Sequence, residues 1–244
     1  MTKAKNFEYS QTVNISSQYT EGLKAYTRKV FNYMMTSLGI TALVSYLMIR
    51  TDLLRLFLTV KENGMYGYSP LGLIVMWAPL AIILFMSFSK NLSARGTKIA
   101  LFSIAGLEGA SLSLIVLGAG IGNAFQAFLL TGIIFGTMSL YGYTTNRDLL
   151  KMGSILTMGL WGLVIVSIFS LFTGGVGIWF SYLTVIIFTG LIAYEVQQIK
   201  DIYTLTEGKG ENADKIAAFC ALNLYLDFLN VFIAILRIMG NNRD

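Results

Sequence analysis

The sequence holds no histidine, one cysteine (Cys220), two prolines (Pro70 and Pro79) and few charges. Only 13% of its 244 residues are Asp, Glu, Lys or Arg, while 55% are hydrophobic. Each shortage excludes something. Without histidine there is no Ser-His-Asp triad, no Cys-His dyad and no His-ligated zinc. One cysteine makes neither an intrachain disulfide nor a cysteine-clustered metal site, so redox compartment is unreadable and no bound cofactor is expected. Two prolines supply no polyproline linker. Soluble domains carry roughly 25% charged residues, and a water-facing surface cannot be built from so few. A bilayer is the solvent that suits this composition. The net charge of +5 falls mainly between apolar runs, which fits membrane orientation and gives no reason to expect a nucleic-acid partner.

The chain divides into a polar arm over residues 1–29, an apolar region over 30–240 and a short tail over 241–244. No apolar stretch with a small-residue cleavage site follows Met1, so no removable signal peptide is expected. About 20 apolar residues in a helix cross a hydrocarbon core of roughly 30 Å. Seven runs meet that length: Val30–Ile49, Pro70–Ser89, Ile99–Gly118, Ala124–Tyr143, Gly153–Thr173, Ile178–Gln198 and Ile216–Met239. The expected fold class is therefore an all-α integral membrane protein with seven transmembrane helices. Connections around Gly118–Asn123 and Gly174–Gly177 are short and glycine-rich, which predicts tight hairpins. The Gly118-Ala119-Gly120-Ile121-Gly122 run superficially resembles a dinucleotide fingerprint, but no strand precedes it, and a turn is the better reading. Gly132 and Gly136 form a small-xxx-small pair that predicts close helix packing.

Lysines and arginines set the orientation. Thirteen of the 18 lie on one side if the spans alternate: Lys3, Lys5, Lys24, Arg28 and Lys29 in the arm, then Lys90, Arg95 and Lys98, then Arg147 and Lys151, then Lys200, Lys209 and Lys215. Arg50, Arg55, Lys61, Arg237 and Arg243 lie on the other. The positive-inside rule then places the amino terminus in the cytoplasm. Seven crossings would put the carboxyl terminus outside. A re-entrant last span would keep it inside, and Asp227 in that span leaves both readings open.

Three carboxylates, Glu108, Glu195 and Asp227, stand within apolar spans. Each costs about 2.5–3.5 kcal/mol at a helix centre on insertion scales. Such residues face a bundle interior or water and mark ion or proton paths, although a protonated carboxyl tied to a backbone carbonyl would serve packing alone. Asn223 precedes Asp227 by four residues and Asn230 follows by three, so helical periodicity puts a polar stripe on one face. Gln198 stands three residues after Glu195 on one face. If Glu195 and Asp227 meet away from water, both cannot ionise cheaply, and the pair would share a proton. Deprotonation would then add repulsion between two helices. Two carboxylates are also hard oxygen ligands suited to transient Ca²⁺. Glu195 lies near the end of its span and Asp227 near the middle of its own, so contact demands tilt or a deeper start for the last helix. Glu108, flanked by Gly106, Gly109 and Ser111, ranks below the pair.

The stretch Ile192-Ala193-Tyr194-Glu195-Val196-Gln197-Gln198-Ile199-Lys200, followed by Ala221-Leu222-Asn223-Leu224-Tyr225-Leu226-Asp227-Phe228-Leu229-Asn230, resembles the closing signature of the Bax inhibitor family. The segment Phe135–Asp148, with Tyr141-Gly142-Tyr143-Thr144-Thr145, and the Glu108-Gly109 step are similar to bacterial members. The resemblance covers about residues 24–240. It implies two three-helix layers around a central last helix, and a pH-sensitive Ca²⁺ leak controlled by a hydrogen-bonded carboxylate pair, which falls on Glu195 and Asp227. The chain departs from the family at Glu195, where Asp is usual; the extra methylene changes reach. Bacterial members also carry an arginine near the end of the second helix that bonds the pair, and Lys90 is the candidate substitute, although lysine lacks the bidentate fork. The compact, loop-poor build suggests a bacterial plasma membrane as the location, and nothing physical in the sequence rules out an endoplasmic-reticulum or mitochondrial membrane.

Two other readings compete with a pH-gated leak. Two membrane carboxylates could activate water as in an intramembrane aspartyl hydrolase, but Asp227 follows Leu226 and lacks the Gly-x-Gly-Asp step of those enzymes, so no enzyme activity is expected. A membrane protein that binds a protease or cell-death regulator without transport is the other. The lack of a lysine in span seven to form a Schiff base argues against a retinal pump.

Overall fold

The structure is a computed structural model. It describes residues 2–51, 53–60, 66–89, 92–173 and 175–241, with side chains from Ser17 onward except those at 60, 66, 67, 171 and 241. The chain runs α1 (Thr2–Arg50), a 3₁₀ turn (Leu53–Leu56), β1 (Leu58–Val60), β2 (Tyr66–Tyr68), α2 (Pro70–Phe88), α3 (Ala94–Ala119), α4 (Ile121–Thr144), α5 (Leu150–Thr173), α6 (Ile178–Thr206) and α7 (Gly210–Asn241). All seven α-helices are long and apolar enough to cross a membrane, as the apolar runs predict, and the chain is an integral multi-pass membrane protein.

Local chemistry sets several of the ends. Ser69 and Ser93 cap α2 and α3, each hydroxyl accepting from the backbone N–H three residues on (Gly72 and Gly96, both 3.1 Å), and Pro70 occupies the first helical position, where a missing N–H costs nothing. Gly120 alone joins α3 to α4, at φ 87°, a left-handed value that a side chain would oppose. The tight turn expected there is present. Several helices outrun their apolar cores. The polar arm is helical from Thr2 and continuous with the first span, and α6 continues eight residues past Gln198. Helical hydrogen bonding persists into polar turns that hydropathy does not register. Helix α7 is unbroken over 32 residues, long and apolar enough to cross as the seventh span.

Helices α1 and α2 pack on α3, and α4 and α5 pack on α6. Helix α7 touches α1 and α3 on one side and α4 and α6 on the other. Of its most apolar stretch 67% is buried, against 11% for α5 and 17% for α2. Two three-helix layers thus enclose a central last helix. One expectation fails. A Cβ built on Gly132 or Gly136 meets nothing within 4 Å, and both are exposed. Helix α4 meets α6 elsewhere, at Gly142, where a Cβ would stand 2.3 Å from the carbonyl oxygen of Ala193. Between α1 and α2, β1 and β2 pair antiparallel with Thr59 opposite Gly67, a small hairpin that the search for apolar runs does not resolve.

Candidate functional site

Asp227 is 5% exposed. It sits on the central helix, with Leu224, Phe228 and Val231 buried around it. Phe228 carries an aromatic chain, edge-on to Phe128 at 5.5 Å and to Phe135 at 5.7 Å, with Phe135 meeting Phe31 at 6.2 Å. These rings help keep water from the site. Across the α6–α7 contact stands Glu195, and a side-chain hydrogen bond joins its carboxyl to that of Asp227. Two carboxylates only accept, so such a bond requires a proton on one of them. One oxygen of each carboxyl, Oε2 of Glu195 and Oδ2 of Asp227, is buried with no other group donating a hydrogen bond to it. A buried acceptor left unpaired costs about 1–3 kcal/mol, so the two carboxyls depend on each other and on the proton between them.

The positional difficulty posed by the sequence resolves through helix length. Span six ends in hydropathy three residues after Glu195, but α6 runs to Thr206, leaving about three turns beneath the carboxyl.

The segment of α6 around Glu195 is held on the α4–α5 side. Gly142 lies against the Ala193 carbonyl. Gln197 accepts from the Leu149 backbone N–H (2.7 Å) and donates to the Arg147 carbonyl (2.8 Å), while Lys200 donates to the Tyr143 carbonyl. The loop between α4 and α5 is thereby tied to the helix that carries Glu195. The central helix is held on its far side. Tyr225, two residues before Asp227 and so nearly opposite it at 100° per residue, is fully buried. Its hydroxyl shares a 2.7 Å bond with Thr41, whose own hydroxyl reaches the carbonyls of Ala105 (2.9 Å) and Ser37 (3.0 Å).

The other candidates separate. Glu108 is half-buried on α3 and lies within electrostatic reach of Tyr225, on the side of α7 away from the pair. Asn223 is exposed and Asn230 half-buried, with the Asn230 amide donating to the Leu226 carbonyl at 2.8 Å. The polar stripe on α7 is therefore not uniformly inward: Asp227, at its centre, is buried and Asn223 is exposed. Gln198 reaches only Tyr194, at 3.5 Å; its neighbour Gln197 makes the bridging bonds. Lys90 lies outside the described residues. Cys220, which no motif singles out, stands two turns before Asp227 with its thiol within electrostatic reach of Glu195. The seven-residue spacing to Asp227 was the signal available for it.

Similarity to known proteins places the chain in a family. The family model described as inhibitor of apoptosis-promoting Bax1 matches residues 23–244. An uncharacterised protein of Rickettsia prowazekii is 36% identical over 244 residues, covering 97% of this chain and 99% of its own. The inner membrane protein YbhL of Escherichia coli is 33% identical over 225 residues, covering 91% and 94%. An uncharacterised membrane protein of Streptococcus pyogenes is 34% identical over 231 residues, covering 93% and 97%. With that family model matched over residues 23–244 and relatives 33–36% identical along more than nine-tenths of its length, this chain belongs to the Bax inhibitor family.

Proposed function

We propose that the protein is a pH-sensitive Ca²⁺ leak, gated by the proton that Glu195 and Asp227 share. The observation that carries this reading is the carboxyl–carboxyl hydrogen bond between α6 and the central helix, buried and with no other donor to either Glu195 Oε2 or Asp227 Oδ2. While the proton is present the bond draws the two helices together. When it leaves, two negative charges face each other where water is scarce, and the cheapest relief is separation. Flux should therefore rise as pH rises and fall as pH falls. The exposed oxygens of the opened pair would be transient ligands for a hard cation. The inner-membrane name of the Escherichia coli relative supports a bacterial plasma membrane, and the basic residues support a cytoplasmic amino terminus.

The test is a pH series of Ca²⁺ flux into proteoliposomes. Wild-type flux should climb with pH. Asp227→Asn and Glu195→Gln should each flatten the profile, because an amide supplies the bond without the titration. A wild-type profile in both variants would remove the carboxylate gate. Absence of flux from wild-type protein at every pH, with a stoichiometric protein partner recovered from membranes, would favour a binding role over transport.

A further inference from the structure

A cavity of about 610 Å³ lies between the two layers, walled by α1 and α4 and floored by α3 and α7. That size falls in the range of about 300–1,000 Å³ typical of ligand pockets. Its floor is buried and apolar, with Leu38, Leu112 and Phe228 at its base. Its rim is exposed and also apolar, with Ala42 contributed by α1 and Phe125 by α4. In a membrane-spanning bundle, a groove with this rim opens toward acyl chains. From Leu38 to Arg50 the groove follows twelve residues of α1, about 18 Å at 1.5 Å per residue. One leaflet of hydrocarbon is about 15 Å deep, half of roughly 30 Å.

The surface end of the groove has the opposite character. Arg50, the last residue of α1, is the charged side chain in the lining. Its guanidinium rests over the Tyr46 ring at 5.5 Å, which fixes the cation at the mouth. Ile121, the first residue of α4, lines the same cavity. The amino terminus of α4 has no side-chain cap, so its first N–H groups and the positive end of its dipole favour an anion there. A slot one leaflet deep, apolar along its length and positive at its surface end, has the shape and charge of a phospholipid with a net negative head group.

We propose that this groove binds one acyl chain of an anionic phospholipid of the bilayer, with the phosphate held by Arg50 and the start of α4. A zwitterionic lipid fills the slot equally well with its chain but brings its own cation to Arg50. Selectivity therefore resides in the head group and affinity in the chain.

Photo-crosslinking in proteoliposomes tests this. The probes are phosphatidylglycerol and phosphatidylcholine with identical diazirine-bearing chains, and adducts are mapped by mass spectrometry. The outer face of α5, where Ile165 and Phe169 are exposed, reports lipid contact of any kind. Wild-type protein should give groove adducts, around Leu38 and Phe228, about fivefold more often with phosphatidylglycerol, and equal α5 adducts with both. Arg50→Gln should bring the groove ratio near one. Ala42→Trp, which adds bulk at the rim, should remove groove adducts of both lipids while α5 adducts persist as evidence of a folded bundle. Equal groove labelling by the two lipids in wild type, or an undiminished ratio in Arg50→Gln, would overturn the head-group assignment. Undiminished groove adducts in Ala42→Trp would overturn the groove itself.

Discussion

At the scale of single residues, the chemistry turns on reach. Glu195 carries one methylene more than the aspartate usual at this position in the family, and still meets Asp227. Shortening it tests whether contact or merely the presence of two acids matters. Glu195→Asp should keep a pH-dependent flux, since two titrating carboxyls remain, but its midpoint should move because a shorter arm makes a different bond. Glu195→Gln should lose the dependence altogether. Identical profiles for Glu195→Asp and Glu195→Gln would show that the pair does not act through its shared proton. The acids were legible in the sequence because a carboxylate in an apolar span costs too much to be incidental. Their partners were less so. Gln197 and Gln198 are adjacent and identical, and only the rotation of α6 against α4 decides that Gln197 bridges to Leu149 and Arg147. Asn223 and Asp227 share a helical face by spacing, but the width of the α6–α7 contact determines which of them is covered.

At the scale of elements, two contacts position the pair, and each makes a prediction. Gly142 lets α4 approach the backbone of α6 two residues before Glu195. A Cβ there would meet a carbonyl oxygen at 2.3 Å, and backbone yields less readily than a side chain. Gly142→Ala should cost about 1–3 kcal/mol, the range for overpacking, and lower the thermal unfolding midpoint in detergent. The same alanine at Gly136, where nothing lies within 4 Å, should leave the midpoint unchanged or raise it, alanine being the better helix former. On the other side of α7, the Thr41–Tyr225 bond is asymmetric. In Tyr225→Phe, Thr41 keeps its carbonyl acceptors, so the loss should be that of one net hydrogen bond, about 0.5–1.5 kcal/mol. In Thr41→Val the buried Tyr225 hydroxyl loses its partner, and the loss should reach about 1–3 kcal/mol. The double variant should then be less destabilised than the sum of the two, since no orphaned hydroxyl remains. Additive losses in chemical or thermal unfolding would mean the two hydroxyls do not act as a unit. Helix existence was plain from the apolar runs, whereas these contacts depend on register. The Gly132–Gly136 spacing has the sequence form of a helix contact, yet Gly142 makes one, because spacing does not reveal which face of α4 turns inward.

At the scale of the whole molecule, the folded chain gathers charge at one end. Lys29 of α1 pairs with Asp214 near the start of α7, and Tyr19 shares a 2.8 Å hydrogen bond with Thr204 near the end of α6. Glu211 accepts from the backbone N–H of Ala94 at the start of α3 (3.3 Å), and Lys200 reaches the end of α4. The amino-terminal helix, the entry to α3, the α4–α5 loop and the α6–α7 turn therefore share one end of the bundle. These are the segments in which twelve of the 18 lysines and arginines lie, Lys90 falling outside the described residues. An unbroken α7 leads away from that end to Arg237. If the rule that basic loops stay inside governs insertion, the two ends of the chain face different compartments. Single cysteines at Glu21 and Gly240, both exposed, in a Cys220→Ser background, read this directly with a membrane-impermeant maleimide. Gly240→Cys should label in intact cells and Glu21→Cys only after the membrane is permeabilised. Labelling of both from the same side would mean that α7 does not complete its crossing, despite being continuous. Labelling of Glu21→Cys alone in intact cells would keep all seven crossings and invert the molecule, placing Arg50 and its groove in the cytoplasmic leaflet.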